Sequence, residues 1–253
     1  MIYMRNLIVG DIHSSFDRLM GVLNQARFNP SADVLYSTGD LFDRGSKPLE
    51  TLSFLMSLPH FLPVAGNHDL WLYDALRSRN PDEWWTDNNG GWNTWESIIG
   101  SPDASLPDRV MKWLADFPVI RILPSHIIVH GGVGGTVNGK QLEEYAGLTI
   151  ENTWLPQDRY GGISLDSRVE MLCWDREYIY QALGIRDSWK SPVLPLDTGK
   201  TIVCGHTPLN NVFHSDGFHL TCIDTGSFVE HGHITLMDLD SGEIWTSGDD
   251  IPV

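Results

Sequence analysis

Aspartate, histidine, asparagine and arginine recur in this chain in short polar turns, each placed just after an apolar run: Gly10-Asp11-Ile12-His13, Gly39-Asp40-Leu41-Phe42-Asp43-Arg44-Gly45, Gly66-Asn67-His68-Asp69, His130-Gly131 and Gly205-His206. One such turn means little, because an aspartate after a strand is commonly a turn former or a helix cap. Six residues of metal-ligating type at five such places, mostly beside a glycine that lets the backbone turn tightly, are a poor fit to capping alone. Mixed carboxylate, imidazole and amide donors suit Mn, Fe, Zn or Co better than Ca or a thiolate-held structural zinc. Asp11, His13, Asp40, Asn67, His130 and His206 are too many for one tetrahedral ion. A carboxylate has two oxygens that can serve different ions, so two divalent metal ions bridged by Asp40 are expected. Such a pair clamps the attacking and leaving oxygens of an in-line displacement at phosphorus and brings the pKa of bound water to about 7. The chemistry expected is metal-assisted phosphoester hydrolysis.

The remaining polar residues of these turns have roles of their own. His68 follows Asn67 and so borders the site while pointing elsewhere, which suits a proton donor to the leaving oxygen. Asp43, three residues past the bridge, can orient that imidazole and hold it protonated. Arg44 offers a guanidinium fork that matches phosphate oxygens; the alternatives are a surface ion pair or simple neutralisation of the neighbouring carboxylates.

Strand ends must present these residues. Leu7-Ile8-Val9, Val34-Leu35-Tyr36 and Phe61-Leu62-Pro63-Val64 read as buried strands leading to Asp11, Asp40 and Asn67. Helices are predicted after each. The first is capped by Ser14 or Ser15 and carries Phe16, Leu19, Met20 and Leu23; the second opens at Pro48 with Leu49, Leu52, Leu55 and Met56; the third carries Leu70, Tyr73, Asp74 and Ala75. This alternation predicts βαβ units and a largely parallel sheet, with ligands bound at the carboxyl ends of the strands. Residues 80–118 change texture: Trp84, Trp85, Trp92, Trp95 and Trp113 crowd a helical excursion expected to form its own satellite aromatic core, a substrate platform, or both. Strands return at His126-Ile127-Ile128-Val129, Thr201-Ile202-Val203-Cys204, Leu220-Thr221-Cys222-Ile223 and Ile234-Thr235-Leu236-Met237, with long surface loops expected at about 132–162 and 183–199. Asp224 reads equally as a partner behind a ligand or a turn cap. His60, His126, His214, His219, His231 and His233 read as loop, strand or turn positions, the last two alternating as in a strand.

The 253 residues, 42% of them apolar, fit one domain over 1–253. A net charge of -16 opposes a broad basic face, so neither nucleic acid nor a membrane surface is an expected partner. Three cysteines, two of them inside apolar runs, read as buried free thiols in a reducing compartment. The opening Met1-Ile2-Tyr3-Met4-Arg5 carries no visible secretory signal, and no apolar run approaches the roughly 20 residues that span a bilayer, so a cytoplasmic location is expected. Oligomeric state leaves no mark in the sequence.

The five turns together resemble the signature of the calcineurin-like metallophosphoesterase superfamily, and the ending Asp43-Arg44-Gly45 narrows the resemblance to its phosphoprotein phosphatase branch. Asn89-Gly90-Gly91-Trp92, Trp174-Asp175-Arg176-Glu177, Gly205-His206-Thr207-Pro208 and Ile223-Asp224-Thr225-Gly226 are similar to segments of the phage lambda-type bacterial serine/threonine phosphatases. The resemblance implies an α/β fold, a four-layer α/β/β/α sandwich of two mixed β-sheets flanked by helices, with a Trp-rich helical insertion. It implies Asp11 and His13 on one metal, Asp40 between both, and Asn67, His130 and His206 on the other, manganese being the first candidate and Fe, Zn, Co or Ni also compatible. It further implies His68 as general acid paired with Asp43, and Arg44 and Arg176 as phosphate-binding residues. The activity implied is hydrolysis of phosphoserine, phosphothreonine and, less selectively, phosphotyrosine in proteins, or of a small phosphoester, by direct attack of a metal-bound hydroxide. The alternative is symmetrical diadenosine tetraphosphate hydrolysis, since Gly66-Asn67-His68-Asp69-Leu70 also resembles those enzymes, although they usually lack the aspartate matching Asp43. Two departures stand out: Ala65 replaces an arginine common in the branch, and the stretch from His130 to Arg176 is long.

Overall fold

In the computed structural model, which describes residues 4–134, 138–156, 163–185, 193, 195–196 and 198–248, the first strand already dictates a layered architecture. Along β1 (Asn6–Val9), Ile8 enters one hydrophobic cluster while Leu7 and Val9 enter another. Successive strand side chains point to opposite faces, so a strand apolar on both must be covered on both. The chain then runs α1 (Phe16–Gln25), β2 (Val34–Ser37), α2 (Pro48–Ser57), β3 (Phe61–Pro63) and α3 (Asn67–Ser78), the helices that the apolar spacing predicts. A π-helical turn (Trp84–Asn88), α4 (Trp92–Ile99) and α5 (Leu106–Ala115) form the Trp-rich insertion. The second half holds β4 (Ile120–Ile122), β5 (His126–Val129), α6 (Gly139–Tyr145), β6 (Trp154–Pro156), β7 (Ile163–Leu165), α7 (Ser167–Trp174) and α8 (Glu177–Ala182). It closes with β8 (Thr201–Cys204), β9 (Phe213–Ser215), β10 (Leu220–Cys222), β11 (Thr235–Asp238) and β12 (Ile244–Thr246).

Two five-stranded mixed sheets result, in the orders β12-β11-β1-β2-β3 and β4-β5-β8-β10-β9, with β6 and β7 as a separate pair. Strands β1, β2 and β3 are parallel neighbours, as are β5, β8 and β10, and antiparallel strands close every edge except that of β3. Ile8, Tyr36 and Met237 of the first sheet and Ile128 and Val203 of the second share one buried cluster, the seam between the sheets. Leu7, Val9 and Leu35 lie instead with Leu19, Val22 and Leu23 of α1 and Leu52 and Leu55 of α2; Ile127, Val129 and Ile202 lie with Val169 and Leu172 of α7 and Tyr178 and Ile179 of α8. Helices therefore flank two central sheets, the α/β/β/α order expected. Burying each of these large side chains is worth about 1.5–3 kcal/mol. All three cysteines are buried and free, with Cys204 and Cys222 in register on neighbouring strands. Among the described residues no helix is long and apolar enough to cross a membrane.

Three expectations change. The insertion has no satellite core: Trp85, Trp95, Ile98, Val110 and Leu114 belong to the same cluster as the helix-facing strand residues, and Trp113 stacks on Phe61 of β3. Residues 132–162 are not simply a loop, for α6 lies there, started by an Asn138 and Gln141 capping box and burying Leu142 and Tyr145. His231 and His233 lie in a turn and an irregular run before β11 rather than in a strand. Most of the loop expected at 183–199 falls outside the described residues.

Candidate metal centre

Register places the polar turns together. Val9 pairs with Ser37 and Ser37 with Pro63, so the segments bearing Asp11, Asp40 and Asn67 leave the first sheet along one edge. Ile128 pairs with Val203 and Cys204 with Cys222, which brings the segments bearing His130, His206 and Asp224 out of the second sheet in the same way.

Asp40 is the hub. Its backbone is left-handed (φ 50°), after Gly39 at φ 98°, and surrounding bonds hold this strained turn. Ile12 and His13 N–H groups both donate to the Asp40 carbonyl at 3.0 Å. Buried Asp69 accepts from the Asp40, Leu41 and Gly66 N–H groups at 3.0, 3.1 and 2.9 Å. The Asp40 carboxylate accepts the His68 N–H at 2.9 Å and lies 3.3 Å from His130 Nε2 and 3.6 Å from His13 Nε2. Burial opposes its charge, but His130, His68 and His13 outweigh that and hold the carboxyl well below the usual range.

The imidazoles are oriented from behind. His13 Nδ1 donates to the Phe42 carbonyl at 2.9 Å and His130 Nδ1 to the Thr38 carbonyl at 2.8 Å, so both turn Nε2 toward Asp40. Asn67 Oδ1 lies 3.0 Å from His130 Nε2. His206 Nε2 is buried with no hydrogen-bond partner. Burial, then His130 and Arg176, push His206 down to about 2. Burial likewise opposes charge on His130, yet Asp40 and Asp11 prevail and push it up to about 9. Donor atoms of His13, Asp40 and His68 lie within 4.8 Å of one another, as do those of Asp40, His130 and His206. Asp40 is common to both groups, and the orphaned His206 nitrogen is aimed as a ligand would be, so these side chains fit a pair of divalent cations. Asp11 is in neither group. It accepts from Thr38 Oγ1 and the His206 N–H, each at 3.0 Å, and burial, then Asp224, raise its carboxyl well above the ordinary value.

His68 Nδ1 meets Asp43 Oδ2 at 2.6 Å. Arg44 places its two terminal nitrogens 3.0 Å from His13 Nε2 and His68 Nε2, with its guanidinium 4.2 Å from the Phe228 ring centroid. Arg176, at the start of α8, donates to the His206 carbonyl at 3.2 Å. A cavity of about 300 Å³ opens on Asp40, Asn67, His68, His206 and both arginines, walled by Trp71, Trp84, Trp174 and Phe228.

Four contributors escape sequence reasoning. Asp69 carries a readable signal, an acid three residues after the Gly66 that begins α3. Phe228 and Trp71 carry none. Trp85, whose indole Nε1 donates to Asp43 Oδ2 at 2.5 Å, comes from 42 residues away. Asp224 proves fully buried; burial first of all lifts its carboxyl to about 6, while it accepts the Gly226 N–H at 2.9 Å.

Comparison with known proteins identifies the family. A serine/threonine-protein phosphatase 2 of Salmonella typhimurium is 27% identical over 232 residues, spanning 90% of this chain and 89% of that enzyme. A symmetrical bis(5'-nucleosyl)-tetraphosphatase of Psychromonas ingrahamii is 34% identical over 146 residues, 56% of this chain and 49% of that enzyme, so the chain spans about half the length of this relative. The cold-active protein-tyrosine phosphatase of a psychrophilic Shewanella shares the fold, with a TM-score of 0.59 at 17% identity over 97% of this chain and 81% of that one. The calcineurin-like phosphoesterase model matches residues 4–236, a stretch that contains every polar turn described above, and the chain belongs to that family.

Proposed function

We propose that the chain is a phosphoprotein phosphatase, hydrolysing phosphoserine and phosphothreonine, and phosphotyrosine less selectively, in proteins or peptides. The His68–Asp43 pair, 2.6 Å apart beside Arg44, carries this reading. Asp11, His13, Asp40, Asn67, His130 and His206 would hold two divalent ions, manganese first among the candidates and Fe, Zn, Co or Ni also compatible; when bound, these supply Lewis-acid polarisation and an activated water. Arg44 and Arg176 grip the non-bridging phosphoryl oxygens, a task for which the planar guanidinium is suited. His68 keeps Nδ1 on Asp43 and presents Nε2 beside Arg44 at the cavity; with Arg44 turned to the phosphoryl oxygens, Nε2 is the atom that passes a proton to the leaving oxygen, help worth about 10²–10⁴-fold. The ionised Asp40 carboxylate accepts the His68 backbone N–H and so fixes the start of α3. The insertion shares a hydrophobic cluster with the sheets, which supports action as a single domain. Three buried free thiols suit a reducing, cytoplasmic setting.

A second reading, symmetrical dinucleoside tetraphosphate hydrolysis, draws on the similarity to the Psychromonas enzyme and on Trp71, Trp84 and Trp174 around the cavity, faces on which a nucleobase can stack. Assay of a phosphoserine peptide against diadenosine tetraphosphate, with manganese and other divalent ions added in turn, separates the two. Turnover of the peptide is expected; cleavage of the dinucleotide alone would overturn the phosphoprotein reading.

A further inference from the structure

We propose that Trp85 is a positioning residue for proton donation, fixing the Asp43 carboxylate that in turn aims His68; this rests on the reading of His68 as the general acid. Trp85 and Asp43 are both fully buried. The indole Nε1 donates to Asp43 Oδ2 at 2.5 Å, and His68 Nδ1 meets the same oxygen at 2.6 Å. Two donors converging on one carboxylate oxygen from different directions stop the carboxylate rotating, and through it the imidazole. An indole is suited to this: it brings one rigid N–H and a broad apolar body that keeps water from the charge.

The same insertion holds the backbone of the turn. Asp43 and Arg44 are both left-handed, at φ 75° and 64°, a strained conformation for residues with a Cβ. The Asp43 N–H donates to Thr94 Oγ1 at 3.0 Å and the Arg44 N–H to the Gly90 carbonyl at 3.1 Å. Trp85 itself is backed by Gly91, where a Cβ would stand 2.2 Å from indole Cε2. The pair read from sequence as Asp43 and His68 is thus a relay of three, with its outer member on the tryptophan-rich insertion. Trp84, the preceding residue, walls the cavity.

The test uses the metal-loaded full chain and two substrates, a phosphoserine peptide with a poor alkoxide leaving group and p-nitrophenyl phosphate with a good one. Trp85→Phe keeps an aromatic ring and removes the N–H. It is expected to lower kcat for the peptide about 10–100-fold, with a much smaller loss on the aryl ester and KM little changed. The His68 Nδ1 proton resonance should also shift in the zinc-loaded form. Equal losses on both substrates, or none, would overturn the proposal. If Trp85→Phe does not fold, replacing Trp85 by benzothienylalanine, which puts sulfur in place of the N–H within the same bicyclic outline, gives the same decision. His68→Asn runs in parallel. If it lacks the leaving-group asymmetry, the general-acid reading falls; if it shows the asymmetry and the Trp85 variants do not, only the role of Trp85 falls.

Discussion

Asp40 must stay ionised to hold a cation, and the imidazoles around it provide for that; the reciprocal effect falls on His130. Its folded pKa near 9 lies above the ordinary 6.5, so its charge adds stability to the metal-free fold that is complete below about 6.5 and is lost as pH rises through about 9. A ligating Nε2 cannot keep its proton, so cation uptake near pH 7.5 should expel about one proton from His130. Titrating manganese calorimetrically in buffers of different ionisation enthalpy measures this release, which should fade above pH 9. A heat independent of buffer at pH 7.5 would mean that His130 is already neutral. At this scale the sequence was informative wherever a residue sat beside its own strand end, as Asp40, His68 and His130 do. It was silent on Trp85 and Phe228, whose partners are set by how separate segments pack, a matter that local spacing does not encode.

Among elements, the insertion is the one whose exact fit can be probed by a single atom group. Gly91 has an ordinary backbone (φ -73°), so alanine suits its conformation, yet the added methyl would meet Trp85 Cε2 at 2.2 Å and Nε1 at 2.4 Å. Gly91→Ala should therefore cost about 1–3 kcal/mol by overpacking, read as a lower urea midpoint, and should lower turnover as the indole shifts. An unchanged midpoint would show that the π-helical turn yields at little cost. Uninterrupted apolar runs, short as they are, made β1, β2, β5 and β8 legible beforehand. The three-residue edge strands β4, β9 and β12 were not: β4 has Arg121 at its centre, donating to the Pro63 carbonyl at 2.9 Å, and so lacks an apolar run. Helix α6 was hidden because seven residues with only Leu142 and Tyr145 buried give no sustained period.

Across the whole molecule, the candidate ligands divide between the sheets. Asp11, His13, Asp40 and Asn67 follow strands of the first, and His130 and His206 follow β5 and β8 of the second. The cation held by Asp40, Asn67, His130 and His206 would fasten one sheet to the other, and at about 100 times Kd each bound cation would add about 2.7 kcal/mol to folding. The cysteines make this fastening measurable. Burial pushes the Cys173 thiol up, and Cys204 beside it, together with burial, raises that of Cys222, so neither readily forms the thiolate that reagents attack. A thiol-reactive dye should find no fast-reacting sulfur in the metal-loaded protein and three in denaturant, with chelation speeding the reaction; equal rates with and without metal would mean that the sheets part independently of the centre. Sulfurs with no part in the chemistry thereby serve as an intrinsic clock for how often the two halves of the molecule come apart.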